Sequence, residues 1–236
     1  MVKRLHVEDD LAAGTVVPLD RTTANRVLNV LRMREGASVT LFNGRDGEWR
    51  ARLTMEGRKA ASLAVTERVR PQATAPTLEV LLAPIKRMDY AIQKSVEMGA
   101  GRVRLVRTER TQAQAKPDKL AAYAAEAAEQ CGSMHVPPVE PTRSMADVTA
   151  AWDGRPLLFC DEGNDGAGAL VALGGFAAGP LAVLIGPEGG FSSGERARLR
   201  ALPFVTPLPL GPRILRADTA LVAALALVQA TVGDWH

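Results

Sequence analysis

Glu188 is the one charged side chain in a turn made of small residues. The stretch LIGPEGGFSSGE, residues 184–195, begins as the tail of an apolar run and sets Gly186, Gly189 and Gly190 around that carboxylate. Glycines there let the backbone bend and let a ligand approach with no Cβ in the way. Ser192 followed by Glu195 forms a capping box, so a helix begins directly after the turn. Such a turn can cradle phosphate, but neither G-x-G-x-x-G nor G-x-x-x-x-G-K-[ST] is present, and a carboxylate repels anions. The chemistry suits a neutral or cationic ligand. A tight strand-to-helix turn that binds nothing is the competing reading.

A second constellation lies in PLPLGPRILRADTALVAALALV, residues 207–228. Arg213 and Arg216 stand in a Pro/Gly-rich loop at another strand end, and Asp218 with Thr219 opens a helix that is apolar nearly all round. That helix must be buried, in the domain or in an oligomer interface. Asp218 reads first as its cap. Two such loops in one α/β domain can wall a single pocket.

The elements that must position these groups fall into two halves. In residues 1–70, SVTLF (38–42) and EWRARLTM (48–55) flank the turn signal NGRDG, and ASLAVTERV (61–69) supplies another strand. One short helix is expected over Ala24–Met33, behind Thr22 or Thr23 as cap. This half reads as a small β-barrel, and RPQATAPT (70–77) as the linker. From 78 onward LEVLLA (78–83), VRLV (103–106), PLLFC (156–160), LAVLI (181–185) and FVTPL (204–208) alternate with helical patterns. Those include Ile85–Met98, which stops at Gly99, and Leu120–Gln130. The alternation predicts an α/β domain with a parallel sheet.

Charge is unevenly spread: residues 1–70 carry 13 Lys/Arg against 9 Asp/Glu, whereas the remainder is near neutral. A basic small module suggests a grip on a polyanion, with a solvated surface as the plain alternative. Cys131 and Cys160 are too few for a disulfide framework and lack metal-ligand spacing, which favours a reducing cytoplasm. MVKRLHVEDDL contains no apolar segment of secretory type. The uncharged run 166–187 is broken by Gly174, Gly175, Gly179 and Pro180, so no membrane span is expected there.

Together, IGPEGGFSSGE and LPLGPRILRADTA resemble the signature of the RsmE-type 16S rRNA uridine-N3 methyltransferases of the SPOUT superfamily. VLRMREG (30–36), LFNGRDGEW (41–49), KRMDYAIQKSVEMGA (86–100) and AAEAAEQCG (124–132) match the same family's pattern in order. The resemblance implies a PUA-like RNA-binding barrel over 1–70 and a methyltransferase domain over 78–236 containing a trefoil knot. It further implies S-adenosylmethionine as cofactor, no metal, a homodimer, and 16S rRNA or the small ribosomal subunit as partner.

Mapped onto this chain, the cofactor pocket would be walled by three strand ends. They are Phe159, Asp161 and Glu162; Leu184, Ile185, Gly186, Pro187, Glu188, Gly189 and Gly190; and Leu208, Leu210, Gly211, Ile214 and Leu215. Leu184, Leu210, Ile214 and Leu215 would enclose the adenine, and the acidic loop suits a cationic sulfonium. Arg213 or Arg216 would stabilise the uracil anion, with Glu188 or Asp218 as proton acceptor. Arg4, Arg32 and Arg34 in the barrel, and Lys86, Arg87, Lys94 and Arg110 beyond it, are the candidate phosphate ligands. The family's arginine after E-Q-x-G is replaced here by Ser133, Met134 and His135, and its glutamate before T-A by Asp218. A ribose 2′-O methyltransferase, a non-catalytic RNA-binding protein and a dinucleotide-dependent oxidoreductase are the competing functions.

Overall fold

The computed structural model describes residues 3–57, 60–161, 163 and 168–235. The chain forms two compact units, Met1–Thr74 with Ala128–His135, and Ala75–Ala127 with Val136–His236. Residues 128–135 thus cluster with the first unit although they follow the linker by more than fifty positions.

The first unit is a five-stranded sheet of β1 (Arg4–His6), β2 (Val16–Pro18), β3 (Ser38–Phe42), β4 (Glu48–Met55) and β5 (Ala61–Arg70). The order is β1-β3-β4-β5-β2. β1 runs parallel to β3, and the other pairs are antiparallel. Alternation along β3 and β4 sends Val39, Leu41, Ala51 and Leu53 inward onto Leu5, Val17, Val27 and Leu63. The turn between β3 and β4 is organised by Asn43, whose side-chain oxygen accepts the Arg45 and Asp46 N–H groups at 3.0 and 2.9 Å. Gly47 is required there: its φ is +90°, and a Cβ would lie 2.3 Å from the Arg70 carbonyl.

The helix expected over Ala24–Met33 lies three residues earlier. Helix α1 spans Arg21–Asn25, and one π-helical turn, Arg26–Val30, continues it. Its cap is Asp20, whose carboxylate accepts the Thr22 and Thr23 N–H groups at 2.7 and 3.1 Å. Both threonines are donors, not caps. A carboxylate suits the positive end of a helix and outcompetes the hydroxyls one turn on.

The second unit is built on six parallel strands: β6 (Glu79–Leu82), β7 (Arg102–Arg107), β8 (Val139–Ser144), β9 (Leu157–Phe159), β10 (Ala182–Ile185) and β11 (Val205–Pro207). Their order is β11-β9-β10-β6-β7-β8. The helices are α2 (Met88–Glu97), α3 (Pro117–Cys131, its last turn in the first unit), α4 (Met145–Ala150), α5 (Ala169–Leu173), α6 (Ser193–Arg200) and α7 (Ala217–Thr231). β6, first in sequence, lies mid-sheet. β7 and β8 extend to one side and β10, β9 and β11 to the other. The resulting switch between β6 and β10 opens a crevice at their carboxyl ends, where ligands bind in sheets of this kind. Leu81, Leu157, Phe159, Leu184, Phe191 and Leu199 pack the layer beneath.

Candidate active site

A cavity of about 520 Å³ opens at that switch. Three chain segments wall it: Ile85–Arg87 after β6, Ile185–Glu188 with Gly190 and Phe191 after β10, and Ile214–Asp218 at the start of α7. Cys160, just past β9, contributes as well, and burial pushes its thiol up to about 12. An adjoining hollow of about 50 Å³ is lined by Cys160, Asp161, Leu210, Gly211, Arg213 and Leu215 among others.

The glycine turn is closely fitted. Gly186 lies under the Phe191 ring, so that a Cβ would stand 2.5 Å from Phe191 Cε2. Phe191 in turn packs edge-on to Phe159 at 4.8 Å. The Gly189 carbonyl accepts from Arg110 Nη1 at 3.0 Å. The capping box is complete: Ser192 accepts the Glu195 N–H, and Glu195 accepts the Ser192 N–H at 2.9 Å. The other Glu195 oxygen holds the Glu109 N–H at 2.8 Å, anchoring the segment after β7.

Both acids at the pocket are engaged. Glu188 Oε1 accepts the Lys86 backbone N–H at 2.8 Å, just before α2. Asp218 Oδ2 accepts from Arg87 Nη1 at 2.9 Å. Asp218 sits in the first turn of α7, whose N-cap residue is Arg216, so it is not the cap that its sequence position suggests. Arg213 and Arg216 are exposed at the rim of the two cavities.

The expected cofactor residues divide accordingly. Ile185, Gly186, Pro187, Glu188, Gly190, Ile214 and Leu215 meet at the larger cavity, and Asp161, Leu210 and Gly211 at the smaller one. Gly189, whose carbonyl holds Arg110, lines neither. Phe159, Leu184 and Leu208 do not reach either cavity. They are fully buried in the supporting layer, with Leu184 paired to Phe159 and the Leu208 N–H on the Phe159 carbonyl at 2.8 Å. Leu184 therefore supports the pocket floor and does not enclose a ring. Asp161 is ion-paired with Arg196 at 3.1 Å and Arg200 at 2.6 Å. Glu162 lies outside the described residues. Ile85, Phe191, Ala217 and Ala220 line the cavity without having been singled out, and Cys160 falls inside the strand end 159–162 expected as a wall. Only Phe191, directly after two glycines, carried a signal in sequence.

Several expected phosphate ligands have other partners. Arg4 is the clearest correction: its Nε donates to Glu48 at 2.7 Å, and its Nη atoms reach the Ala128 and Ser133 carbonyls at 2.7 and 3.0 Å. The guanidinium closes the carbonyl end of α3, as a cation does at a helix C-terminus. Burial pushes Glu48 up, but hydrogen bonds from Arg70 and Arg4 outweigh it and hold the carboxyl below its usual range. Lys94 pairs with Glu97 at 2.5 Å, Arg87 with Asp218, and Arg110 with the Gly189 carbonyl. Arg32 and Arg34 remain exposed, Arg32 with φ +52°.

Comparison with known proteins gives this geometry a family. The RNA methyltransferase domain matches residues 73–229, and the RNA methyltransferase PUA domain residues 27–66. The ribosomal RNA small subunit methyltransferase E of Rickettsia conorii is 26% identical over 96% of this chain and 94% of its own. The Synechocystis protein of the same name is 29% identical over 98% of this chain and 78% of its own. The crystal structure of ribosomal RNA small subunit methyltransferase E from Neisseria gonorrhoeae, bound to S-adenosyl methionine, superposes with a TM-score of 0.87. It is 28% identical and covers 100% of both chains. The chain belongs to the RNA methyltransferase family, with that family's PUA domain ahead of its methyltransferase domain.

Proposed function

We propose that the protein transfers a methyl group from S-adenosylmethionine to N3 of a uridine in small-subunit ribosomal RNA, as a homodimer in a reducing cytoplasm. The observation that carries this reading is the cavity at the β6–β10 switch, held by a chain of the RNA methyltransferase family and walled by two acids, two arginines and a largely apolar floor.

The residues present fit the cofactor. A volume of about 520 Å³ lies within the ordinary range for small-molecule sites. Ile185, Ile214 and Leu215 offer apolar surface for an adenine, and Gly186 and Gly190 keep the turn free of side chains. Glu188 and Asp218 supply negative charge suited to a sulfonium. The segments at 184–190 and 208–216 are read as the loops of the trefoil knot. When bound, the cofactor supplies a methyl group already activated by its positive sulfur.

Uridine N3 carries a proton and becomes nucleophilic as that proton leaves. Arg213 or Arg216, exposed at the cavity rim, stabilises the resulting anion on the uracil oxygens. Glu188 accepts the N3 proton or organises its acceptor, because one of its oxygens is committed to Lys86 and the carboxylate is thereby fixed in place. Asp218 is tied to Arg87 and serves in the second of those roles. Arg32, Arg34 and Lys86 are the remaining phosphate ligands. Leu170 and Val171, neighbours in α5 exposed at 65% and 71%, give the second unit an apolar surface that a second copy can cover.

The test offers labelled S-adenosylmethionine and purified protein to unmodified small ribosomal subunits, followed by mass spectrometry of the nucleosides. Label in 3-methyluridine is expected; label in a 2′-O-methyl nucleoside overturns the chemistry, and no cofactor binding overturns the enzyme. Arg213→Ala is expected to cut transfer at least about 100-fold, the scale of one lost oxyanion donor, with cofactor affinity nearly unchanged.

A further inference from the structure

Lys86 and Arg87 are consecutive, yet they hold two different walls of the pocket. The Lys86 N–H binds Glu188, in the turn after β10, and the Arg87 guanidinium binds Asp218, in the first turn of α7. Asp218 is well shielded, with 12% of its side chain exposed, whereas Arg87 is 63% exposed. An exposed ion pair by itself contributes little. This one is braced: the Arg87 guanidinium lies 4.4 Å over the Tyr90 ring, one turn along α2, which restricts the plane in which it can fork onto a carboxylate. The start of α7 has no side-chain cap of its own. Among the described residues, Arg87 is the side chain from another element that hydrogen-bonds it.

We infer that Arg87 is a positioning residue for the methyl donor: it ties the start of α7 to the segment that also holds Glu188, so that all three walls of the pocket are set before a ligand enters. This rests on the cofactor reading above. Cut the Arg87–Asp218 contact, and the segment Ile214–Asp218 is free to shift while the Lys86–Glu188 contact still joins the other two walls. The cost then falls on binding, because a ligand must order that wall itself. The guanidinium is engaged by Asp218 and the Tyr90 face; because Asp218 also helps to organise the proton acceptor, kcat falls too, but by less than affinity.

The experiment is isothermal titration of the full-length protein with S-adenosylmethionine, for wild type, Arg87→Ala, Arg87→Lys, Asp218→Ala and the Arg87→Ala/Asp218→Ala pair. Arg87→Ala is expected to weaken affinity about tenfold or more, the scale of one charge-assisted hydrogen bond. The double variant is expected to be no weaker than the weaker single one, since both remove the same contact. Arg87→Lys keeps the charge, loses the fork, and is expected to fall between. In turnover, the cofactor KM rises by more than kcat falls. Affinity within about twofold of wild type for Arg87→Ala, or additive losses in the double variant, overturns the inference. If Arg87→Ala does not fold, the Lys variant decides alone, with wild-type affinity overturning the inference. A wild-type protein that binds no S-adenosylmethionine overturns the functional reading itself, a result distinct from a wild type that binds and an Arg87 variant that binds equally well.

Discussion

The parallel sheet has two edges made of opposite materials. At the amino edge, Glu79 opens β6 almost fully buried and is met by Arg155 at 2.7 Å, Arg104 at 2.9 Å and Arg102 at 3.6 Å. Glu140 shares Arg102 at 3.0 Å, and Asp153 takes Arg155 at 2.6 Å. Each charge there has an opposite charge beside it, which is the condition for burying it without a large loss. At the carboxyl edge, a glycine turn and exposed arginines face an open cavity, two helices begin without side-chain caps, and the acids keep oxygens beside that cavity. A saturated edge holds the strands together and offers a ligand nothing. The unsaturated edge leaves donors, acceptors and space in one place, and it is made secure by neighbours such as the capped helix α6.

If the two edges are independent in this way, the largest stability change comes from the amino edge. Glu79→Ala leaves three arginines around a vacated, buried position and is expected to cost about 3–5 kcal/mol. Urea unfolding measures that loss. Cofactor affinity of the folded variant, titrated at low temperature, is expected to stay within about twofold of wild type. A matching loss of affinity would show that the edges are coupled through the strands.

Gly186→Ala tests the other edge. The added methyl meets the Phe191 ring at 2.5 Å, and Phe191 cannot swing away because it is 3% exposed and wedged against Phe159. Overpacking of this kind costs about 1–3 kcal/mol. The turn that lines the cavity must move to relieve it, so methyl transfer is expected to fall about 100-fold or more. Stability thus drops less than at Glu79 while activity drops far more. Transfer at the wild-type rate would mean that the glycine serves the turn and not the ligand.

How much of this was legible in sequence follows from range. The capping box of Ser192 and Glu195, the Asn43 turn and five of the six parallel strands depend on residues a few positions apart, and those patterns were readable. β8 was missed because VEPTRS has a proline and no apolar run, as an edge strand allows. Strand ends and glycines marked the two loops at 184–190 and 208–215, but not Ile85–Arg87 as a further wall. They did not mark what each charged side chain does there. Arg87 and Asp218 are 131 positions apart, and Arg4 caps a helix more than 120 positions away, so nothing local marks either pair. Basic residues looked alike in sequence and separated only once their partners were in place. The same holds for Leu184, where an apolar residue at a strand end reads equally well as a pocket wall or as the layer beneath it.

Ser192→Ala is the smallest of the three changes and locates the boundary within the carboxyl edge. It removes the hydroxyl that accepts the Glu195 N–H but leaves Glu195 on the Glu109 N–H. One lost N-cap costs about 1 kcal/mol, a melting shift of roughly 2–4 °C in a chain of this size. Ser192 does not line the cavity, although Gly190 and Phe191 just before it do. Cofactor affinity is therefore expected to hold within about twofold, measured by titration beside the melting curve. A larger loss of affinity would extend the ligand-responsive region from the glycine turn into α6; unchanged affinity fixes its limit between Phe191 and Ser192.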